Sequence, residues 1–209
     1  MIAAGYSAVV FDLDGTLADT AIDIRESLVR ALEAEGLPPV DLASVRLMIG
    51  GGPRLRGRRA LERLGVDEES ALVERLTRGF YTGYKRQNNR ETRLFDGAES
   101  TLRKLHETGI RVGLCSNKPD ELCRMLARNF GLEHYIDEIL GAEDGRPTKP
   151  DPAPLLAVIE RLGVPPNDTL YVGDSETDVA TARAAGVPVM LVDHGYTLRA
   201  AAQLGADGV

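Results

Sequence analysis

From residue 96 onwards, the sequence alternates between amphipathic helix patterns and short apolar strand patterns. Helices are predicted over 98–107, 120–129, 153–162 and 177–185, and strands over 110–115, 138–140, 169–172 and 187–192. Strands separated by helices pair in parallel, because each crossover helix returns the chain to the same end of the sheet. The alternation therefore predicts an α/β fold, in which a Rossmann-like parallel sheet has helices on both faces.

One further strand pattern stands far ahead of this region, at residues 9–11. Between them, residues from about 19 to 88 have apolar positions at helical spacing only. We therefore predict an α/β core made of residues 1–17 and 90–209, and an inserted α-helical cap made of residues 18–89. Ligands of open α/β sheets bind at the carboxyl ends of the strands, so we expect the cap to cover that edge as a lid.

Two aspartates, Asp12 and Asp14, follow this first strand before Gly15 turns the chain. Their spacing of two residues directs both carboxylates to one face while Leu13 points to the core. Two carboxylates this close resist joint ionisation unless a cation lies between them or one keeps its proton. The pair indicates a metal site or a nucleophile beside an acid and base, although a lone Asp-x-Asp is more often a solvated turn.

Polar clusters also follow later strands. Ser116 and Asn117 follow one strand, Lys149 lies in a proline-rich segment after the next, and Asp174 and Asp178 follow a third. Each cluster alone has an ordinary explanation: a helix cap, a solvated lysine, or an acidic first turn of a helix. Their joint occurrence where the strands end weakens those explanations.

Together these groups are suited to phosphoryl transfer. A hard divalent cation prefers oxygen ligands and is expected among Asp12, Asp14 and Asp174. Lys149 is expected to share the negative charge of a bound phosphate with that cation. An aspartate is a candidate nucleophile.

In their order along the chain, these motifs resemble those of the haloacid dehalogenase-like phosphatase superfamily. The resemblance rests on Asp12-Leu13-Asp14-Gly15-Thr16-Leu17, then Ser116-Asn117, then Lys149-Pro150, then Gly173-Asp174 with Asp178. It also includes the helical cap inserted after the first motif. It implies a magnesium-dependent phosphatase with an aspartyl-phosphate intermediate, and the aspartate at position 14 argues against a true dehalogenase.

The resemblance also implies catalytic roles for individual residues. Asp12 corresponds to the nucleophile, and Asp14 corresponds to the acid that protonates the leaving group and then to the base that activates water. Lys149 and Ser116 correspond to the groups that bind the phosphoryl group, with Asn117 beside them.

The same resemblance implies a ligand set for Mg²⁺. The ion would be held by the carboxylates of Asp12 and Asp174 and by the backbone carbonyl of Asp14. Asp178 and Thr16 would support these ligands.

Within the superfamily, the cap resembles that of phosphoglycolate phosphatases most closely. The segment 48–53, Met-Ile-Gly-Gly-Gly-Pro, and the following 58–61 resemble that family's glycine loop and helix, except that the loop's usual asparagine is replaced. This implies 2-phosphoglycolate as the substrate, with Gly51, Gly52 and Arg54 as candidate contacts. Of the six arginines between 46 and 63, Arg54 or Arg58 is expected to bind a substrate carboxylate in bidentate fashion.

Other helical-cap relatives share the core motifs, so the sequence leaves alternatives open. These are a sugar-phosphate phosphatase, a pyrophosphatase and a β-phosphoglucomutase-like phosphomutase. A non-catalytic binding module is a further alternative, but the filled catalytic positions count against it. No chemistry is assigned to His106, His134 or His194, which are predicted to lie away from the motifs.

Composition narrows the expected partners to a small phosphorylated metabolite. The net charge of −7 argues against binding nucleic acid. No run approaches the roughly 18 apolar residues that span a bilayer, and the N-terminus lacks a signal-peptide pattern. We therefore expect no membrane partner and a cytoplasmic monomer or homodimer, in which Cys115 and Cys123 are reduced structural thiols.

Overall fold

The computed structural model of the protein describes residues 5–209, so residues 1–4 of the predicted core segment 1–17 lie outside the described residues. The strands, in chain order, are β1 (Ala8–Phe11), β2 (Ala18–Asp19), β3 (Arg93–Leu94), β4 (Arg111–Pro119), β5 (Glu138–Ala142), β6 (Thr169–Gly173) and β7 (Val189–Leu191). The α-helices are α1 (Ala21–Ala34), α2 (Leu42–Arg46), α3 (Gly52–Leu64), α4 (Ser70–Gln87), α5 (Ala98–Glu107), α6 (Asp120–Asn129), α7 (Ala153–Leu162) and α8 (Glu176–Ala185).

Strand β1 lies at the centre of a five-stranded sheet with the order β5-β4-β1-β6-β7. It pairs in parallel with β4 and β6, and Phe11 lies between Leu114 and Val172. All of β1 is buried, as its continuous apolar sequence predicts for a strand covered on both faces.

Helices cover both faces of this sheet. Val9 packs in one buried cluster with Leu102 of α5 and Leu126 of α6. Val10 packs on the opposite face with Leu155 of α7, because successive strand residues point to opposite sides. The predicted α/β fold with a Rossmann-like parallel sheet is confirmed.

The structure corrects the bounds of β4. The sequence predicted that this strand ends at Cys115, whereas β4 continues to Pro119, which pairs with Ala142 after a shift in register. The polar residues Ser116 and Asn117 therefore lie in the irregular end of a strand and not in a loop.

Helices α1 to α4 form most of a further hydrophobic cluster, which includes Ile24, Leu28, Leu61 and Phe80 and to which α6 adds Leu122. This cluster is separate from the two that cover the sheet, and it agrees with the predicted helical insertion. The boundaries 18–89 remain a prediction.

A short antiparallel ribbon, β2 with β3, carries the chain out of the core and back. The buried carboxylate of Asp23 on α1 fastens this return: it accepts hydrogen bonds from the N–H groups of Glu91 and Thr92 and, at 2.6 Å, from the Thr92 hydroxyl. The two cap connections are thereby joined by one side chain. In the part of the chain that the structure describes, no helix has the length and apolar character needed to cross a membrane.

Candidate active site

The carboxyl end of the sheet gathers the polar residues of the motifs. Asp12 directly follows β1, and its N–H donates to the carbonyl of Val172 at 2.9 Å, which continues the parallel ladder. Every side chain that the sequence assigned to catalysis, metal binding or phosphate binding in the core is buried: Asp12, Asp14, Thr16, Ser116, Asn117, Lys149, Asp174 and Asp178.

Lys149 is surrounded by acidic and phenolic groups. Its Nζ lies 3.0 Å from Oδ1 of Asp12 and donates to Oδ1 of Asp178 at 2.8 Å and to the hydroxyl of Tyr171 at 2.9 Å. Burial alone would lower the pKa of Lys149, but the carboxylates of Asp12 and Asp178 outweigh it and raise the pKa. Lys149 thus supplies a fixed positive charge beside Asp12.

Asp12, Asp174 and Asp178 bring carboxylate oxygens within 4.8 Å of one another. Burial raises the pKa of Asp12 to about 6, against the attraction of Lys149. Burial and the repulsion of Asp178 and Asp12 also raise the pKa of Asp174 well above its ordinary value. One ammonium is therefore insufficient to neutralise the three carboxylates, which favours the binding of a further cation.

The geometry fits a divalent metal ion. Oδ1 of Asp12 is buried without a hydrogen-bond partner, although Lys149 is close to it. Gly15 has a φ of +91°, and a Cβ at this position would collide with the Asp174 carboxylate, so only glycine leaves room there. An all-oxygen donor set suits a hard cation. The third carboxylate of the cluster is that of Asp178 and not that of Asp14.

The Asp14 side chain points away from this cluster. Its Oδ1 accepts hydrogen bonds from Nζ of Lys118 at 2.9 Å and from the Thr20 hydroxyl at 2.7 Å. Burial would raise the pKa of Asp14, but Lys118 outweighs burial and the pKa is lowered. Tyr84 of α4 completes the group, because Lys118 Nζ also donates to its hydroxyl at 2.9 Å.

Asn117 joins the glycine loop of the cap to the core. Its side-chain amide donates to the carbonyls of Gly50, at 2.8 Å, and Lys149, at 2.9 Å, and its carbonyl oxygen accepts from the N–H of Lys149. A Cβ at Gly52 would lie 3.0 Å from the backbone carbonyl oxygen of Asn117, so the loop approaches the strand end closely. Gly51 is the N-cap of α3. The structure therefore brings the predicted loop to the site.

A family model described as haloacid dehalogenase-like hydrolase matches residues 9–192. The chain belongs to this family. It is 40% identical over 207 residues to a phosphoglycolate phosphatase of Rhodospirillum rubrum, with 97% of this chain and 86% of the relative covered. It is 35% identical over 188 residues to a phosphoglycolate phosphatase of Yersinia pestis, with 90% and 81% covered.

Solved structures of haloacid dehalogenase-like proteins have the same fold. A Haemophilus somnus protein described as a predicted phosphoglycolate phosphatase matches with a TM-score of 0.91 at 28% identity, over 98% of this chain and 93% of that one. The comparisons confirm the predicted superfamily, and they confirm the predicted enzyme class, a phosphoric monoester hydrolase.

The role of Arg54 or Arg58 in binding a substrate carboxylate stays a prediction for this hydrolase. Arg54 is exposed and forms an ion pair with Glu74 of α4, and Arg58 pairs with Glu68. The arginine that α3 buries is Arg56, which lies four residues after Gly52 on the inward helix face. The spacing of four residues from Gly52 is the sequence signal that could have identified Arg56 as the buried arginine.

Several residues of this hydrolase site were missed from the sequence. Lys118 lies at the end of β4, Tyr171 lies in the middle of β6, and Tyr84 reaches the site from α4. Tyr196 donates its N–H to Oδ2 of Asp174 at 2.8 Å from a loop that no motif marks. The expectation that His194 lies away from the motifs was wrong, since its Nε2 is 3.2 Å from the backbone carbonyl of Thr16.

Proposed function

We propose that this hydrolase is a magnesium-dependent phosphomonoesterase that cleaves 2-phosphoglycolate through an aspartyl-phosphate intermediate. The observation that carries the proposal is the position of Asp12 within 3.0 Å of the ammonium of Lys149 and within 4.8 Å of the carboxylates of Asp174 and Asp178. Phosphoryl transfer depends on positioning and charge neutralisation, which this arrangement supplies. The relatives named phosphoglycolate phosphatase support the substrate.

In the first step, an oxygen of Asp12 attacks the phosphorus atom, and the bond from phosphorus to the alcohol oxygen breaks. Asp14 gives its proton to that oxygen, so glycolate leaves as the alcohol. Ser116 and Lys149 bind the phosphoryl oxygens. In the second step, Asp14 takes a proton from water, whose oxygen attacks phosphorus and releases phosphate and the Asp12 carboxylate.

The proposed Mg²⁺ ligands are the carboxylates of Asp12 and Asp174 and the backbone carbonyl of Asp14. When bound, the ion supplies positive charge to the phosphoryl oxygens. Thr16 donates to Oδ1 of Asp174 at 3.4 Å, and Asp178 bonds to the Lys149 ammonium at 2.8 Å. These two residues therefore orient the groups that hold phosphate and metal.

We further propose that residues 18–89 act as a lid that excludes water during the first step, with Gly51 and Gly52 facing the substrate. The proposed setting is a cytoplasmic monomer or homodimer without nucleic-acid or membrane partners, and the free, buried Cys115 and Cys123 agree with a reducing compartment.

The test is phosphate release from 2-phosphoglycolate, pyrophosphate, β-glucose 1-phosphate and an aryl phosphate, with Mg²⁺ and with EDTA. We expect 2-phosphoglycolate to rank first, activity to require Mg²⁺, and Asp12→Asn to lack activity. Asp193→Asn, at an 87% exposed side chain, is the matched control and is expected to keep it. A different top substrate would indicate one of the other phosphatases or the mutase, and activity that persists in Asp12→Asn would refute the nucleophile.

A further inference from the structure

We infer that Arg56 selects substrates whose leaving alcohol carries a carboxylate. The inference rests on the proposed function and adds a specificity-determining residue to it. The argument uses the burial of Arg56, its missing partner and its position relative to Asp14.

Arg56 differs from the other arginines of its segment. Its side chain is buried, its Nε has no hydrogen-bond partner, and within residues 5–209 no carboxylate forms a salt bridge with it. Four of the neighbouring arginines are exposed and pair with acidic residues: Arg46 with Asp19, Arg54 with Glu74, Arg58 with Glu68 and Arg63 with Asp41. The fifth, Arg59, is half-buried and donates a hydrogen bond to the backbone carbonyl of Leu47. A buried guanidinium without an anion is unfavourable, so an anion from outside the chain is its expected partner.

The position of Arg56 identifies the side of the substrate that it meets. Its guanidinium carbon lies 4.7 Å from the centre of the Phe80 ring, and that ring lies 5.7 Å from the Tyr84 ring. The Tyr84 hydroxyl bonds to Lys118, which in turn bonds to Asp14. Arg56 is therefore on the side of the proposed leaving-group acid.

Electrostatics agree with this position. Burial lowers the pKa of Arg56 to about 10, and the carboxylate of Asp14 partly opposes this effect. Arg56 in turn contributes to the lowered pKa of Asp14. The two groups interact although they form no ion pair.

The chemistry of the missing anion follows from this geometry. The phosphoryl group is already matched by Lys149 beside Asp12, so a second anion on the Asp14 side belongs to the leaving group. A guanidinium presents two parallel N–H donors that match a carboxylate in bidentate fashion. A small phosphate ester of a hydroxy acid pairs its phosphoryl group with Lys149 and its carboxylate with Arg56.

The test compares 2-phosphoglycolate with 2-hydroxyethyl phosphate, which has a neutral hydroxyl in place of the carboxylate. In Arg56→Met, we expect kcat/KM for 2-phosphoglycolate to fall by about 100-fold, mainly through KM, while the value for 2-hydroxyethyl phosphate changes by less than about threefold. Arg56→Lys keeps the charge and is expected to lie between these values. Arg63→Met, at the exposed end of the same helix, is the matched control.

If Arg56 had a purely structural role, its substitution would lower kcat/KM for both substrates equally. That result would overturn the inference. To separate this outcome from failure of the proposed function, the same substitutions are made in Asp12→Asn and binding of both esters is titrated by calorimetry. Loss of affinity for 2-phosphoglycolate alone supports the role of Arg56 even if turnover is not observed. Equal loss for both esters, or no loss for either, contradicts it.

Discussion

Nζ of Lys118 donates a hydrogen bond of 2.9 Å to Oδ1 of Asp14, and both side chains are buried. Lys118 thereby holds the pKa of Asp14 below its ordinary value. The proposed acid and base is therefore ionised before substrate binds, which is the state needed to accept a proton from water. The first step requires a protonated Asp14, so an anionic substrate that draws Lys118 away would favour the acid form.

Lys118→Met should destabilise the protein by about 3 kcal/mol, because it leaves the Asp14 carboxylate buried without its partner. The double variant Lys118→Met/Asp14→Asn should recover most of that loss, since no buried charge remains. Urea unfolding of the wild type, both single variants and the double variant measures the coupling. Additive effects would contradict a direct ion pair.

Metal binding should stabilise the protein, because Asp12, Asp174 and Asp178 repel one another. At a Mg²⁺ concentration 100 times its Kd, the linkage term is about 2.7 kcal/mol, which raises Tm by roughly 5 °C or more. Asp174→Asn should remove this increase while raising the stability of the metal-free protein. Scanning calorimetry with Mg²⁺ or EDTA measures both effects, with Asp193→Asn as the control. An unchanged Mg²⁺ effect in Asp174→Asn would exclude this residue as a ligand.

The same cluster predicts that the stability of the metal-free protein depends on pH. Burial raises the pKa of Asp12 from 3.8 to about 6, so the folded protein binds more protons than the unfolded chain in this range. The contribution of Asp12 to metal-free stability therefore falls as pH rises from 3.8 to about 6 and is constant above it. The free energy of unfolding of the wild type minus that of Asp12→Asn, measured in EDTA as a function of pH, isolates the contribution of Asp12. A difference that increases with pH would contradict the raised pKa.

The segment that returns the chain from the cap to the core should depend on Asp23 for its stability. Asp23→Ala leaves the N–H groups of Glu91 and Thr92 and the Thr92 hydroxyl without an acceptor, so we expect a loss of about 3 kcal/mol. Thr92→Val removes only the hydroxyl bond and should lose about 1 kcal/mol. Denaturant unfolding measures both, and trypsin cleavage after Arg90 and Arg93 should accelerate in Asp23→Ala alone. Equal losses in the two variants would show that the backbone bonds contribute little.

The sequence predicted the sheet well, because the apolar strands alternate with helices whose periodicity is plain. It also predicted which strand ends bring Asp12, Lys149 and Asp174 together, since parallel strands end at one edge. It failed where contacts depend on how separate elements pack. The pairing of Lys118 with Asp14 joins the ends of the adjacent strands β4 and β1, and the burial of Arg56 depends on the packing of α3 beside Phe80 of α4. Local patterns do not encode either contact.

Tyr171 also makes a contact that depends on how separate elements pack. It lies on a strand inside the sheet, and its hydroxyl reaches the site. The hydroxyl donates to Oδ1 of Asp178 and accepts from Nζ of Lys149, each at 2.9 Å. Tyr171→Phe should therefore lower the free energy of unfolding by about 1 kcal/mol. It should also lower kcat/KM about tenfold, because Lys149 loses one of the bonds that direct it at phosphate.

The measurements for Tyr171→Phe are denaturant unfolding and the inhibition constant of inorganic phosphate, which reports how well Lys149 is directed. Tyr135→Phe, beside His106 on another part of the core, removes a hydroxyl of the same kind and should leave both quantities unchanged. Weaker phosphate binding in Tyr171→Phe with unaltered stability would still assign the hydroxyl to positioning Lys149. Lost stability with unaltered phosphate binding would assign it to the core instead, because the ion pairs of Lys149 with Asp12 and Asp178 would then suffice to direct the ammonium.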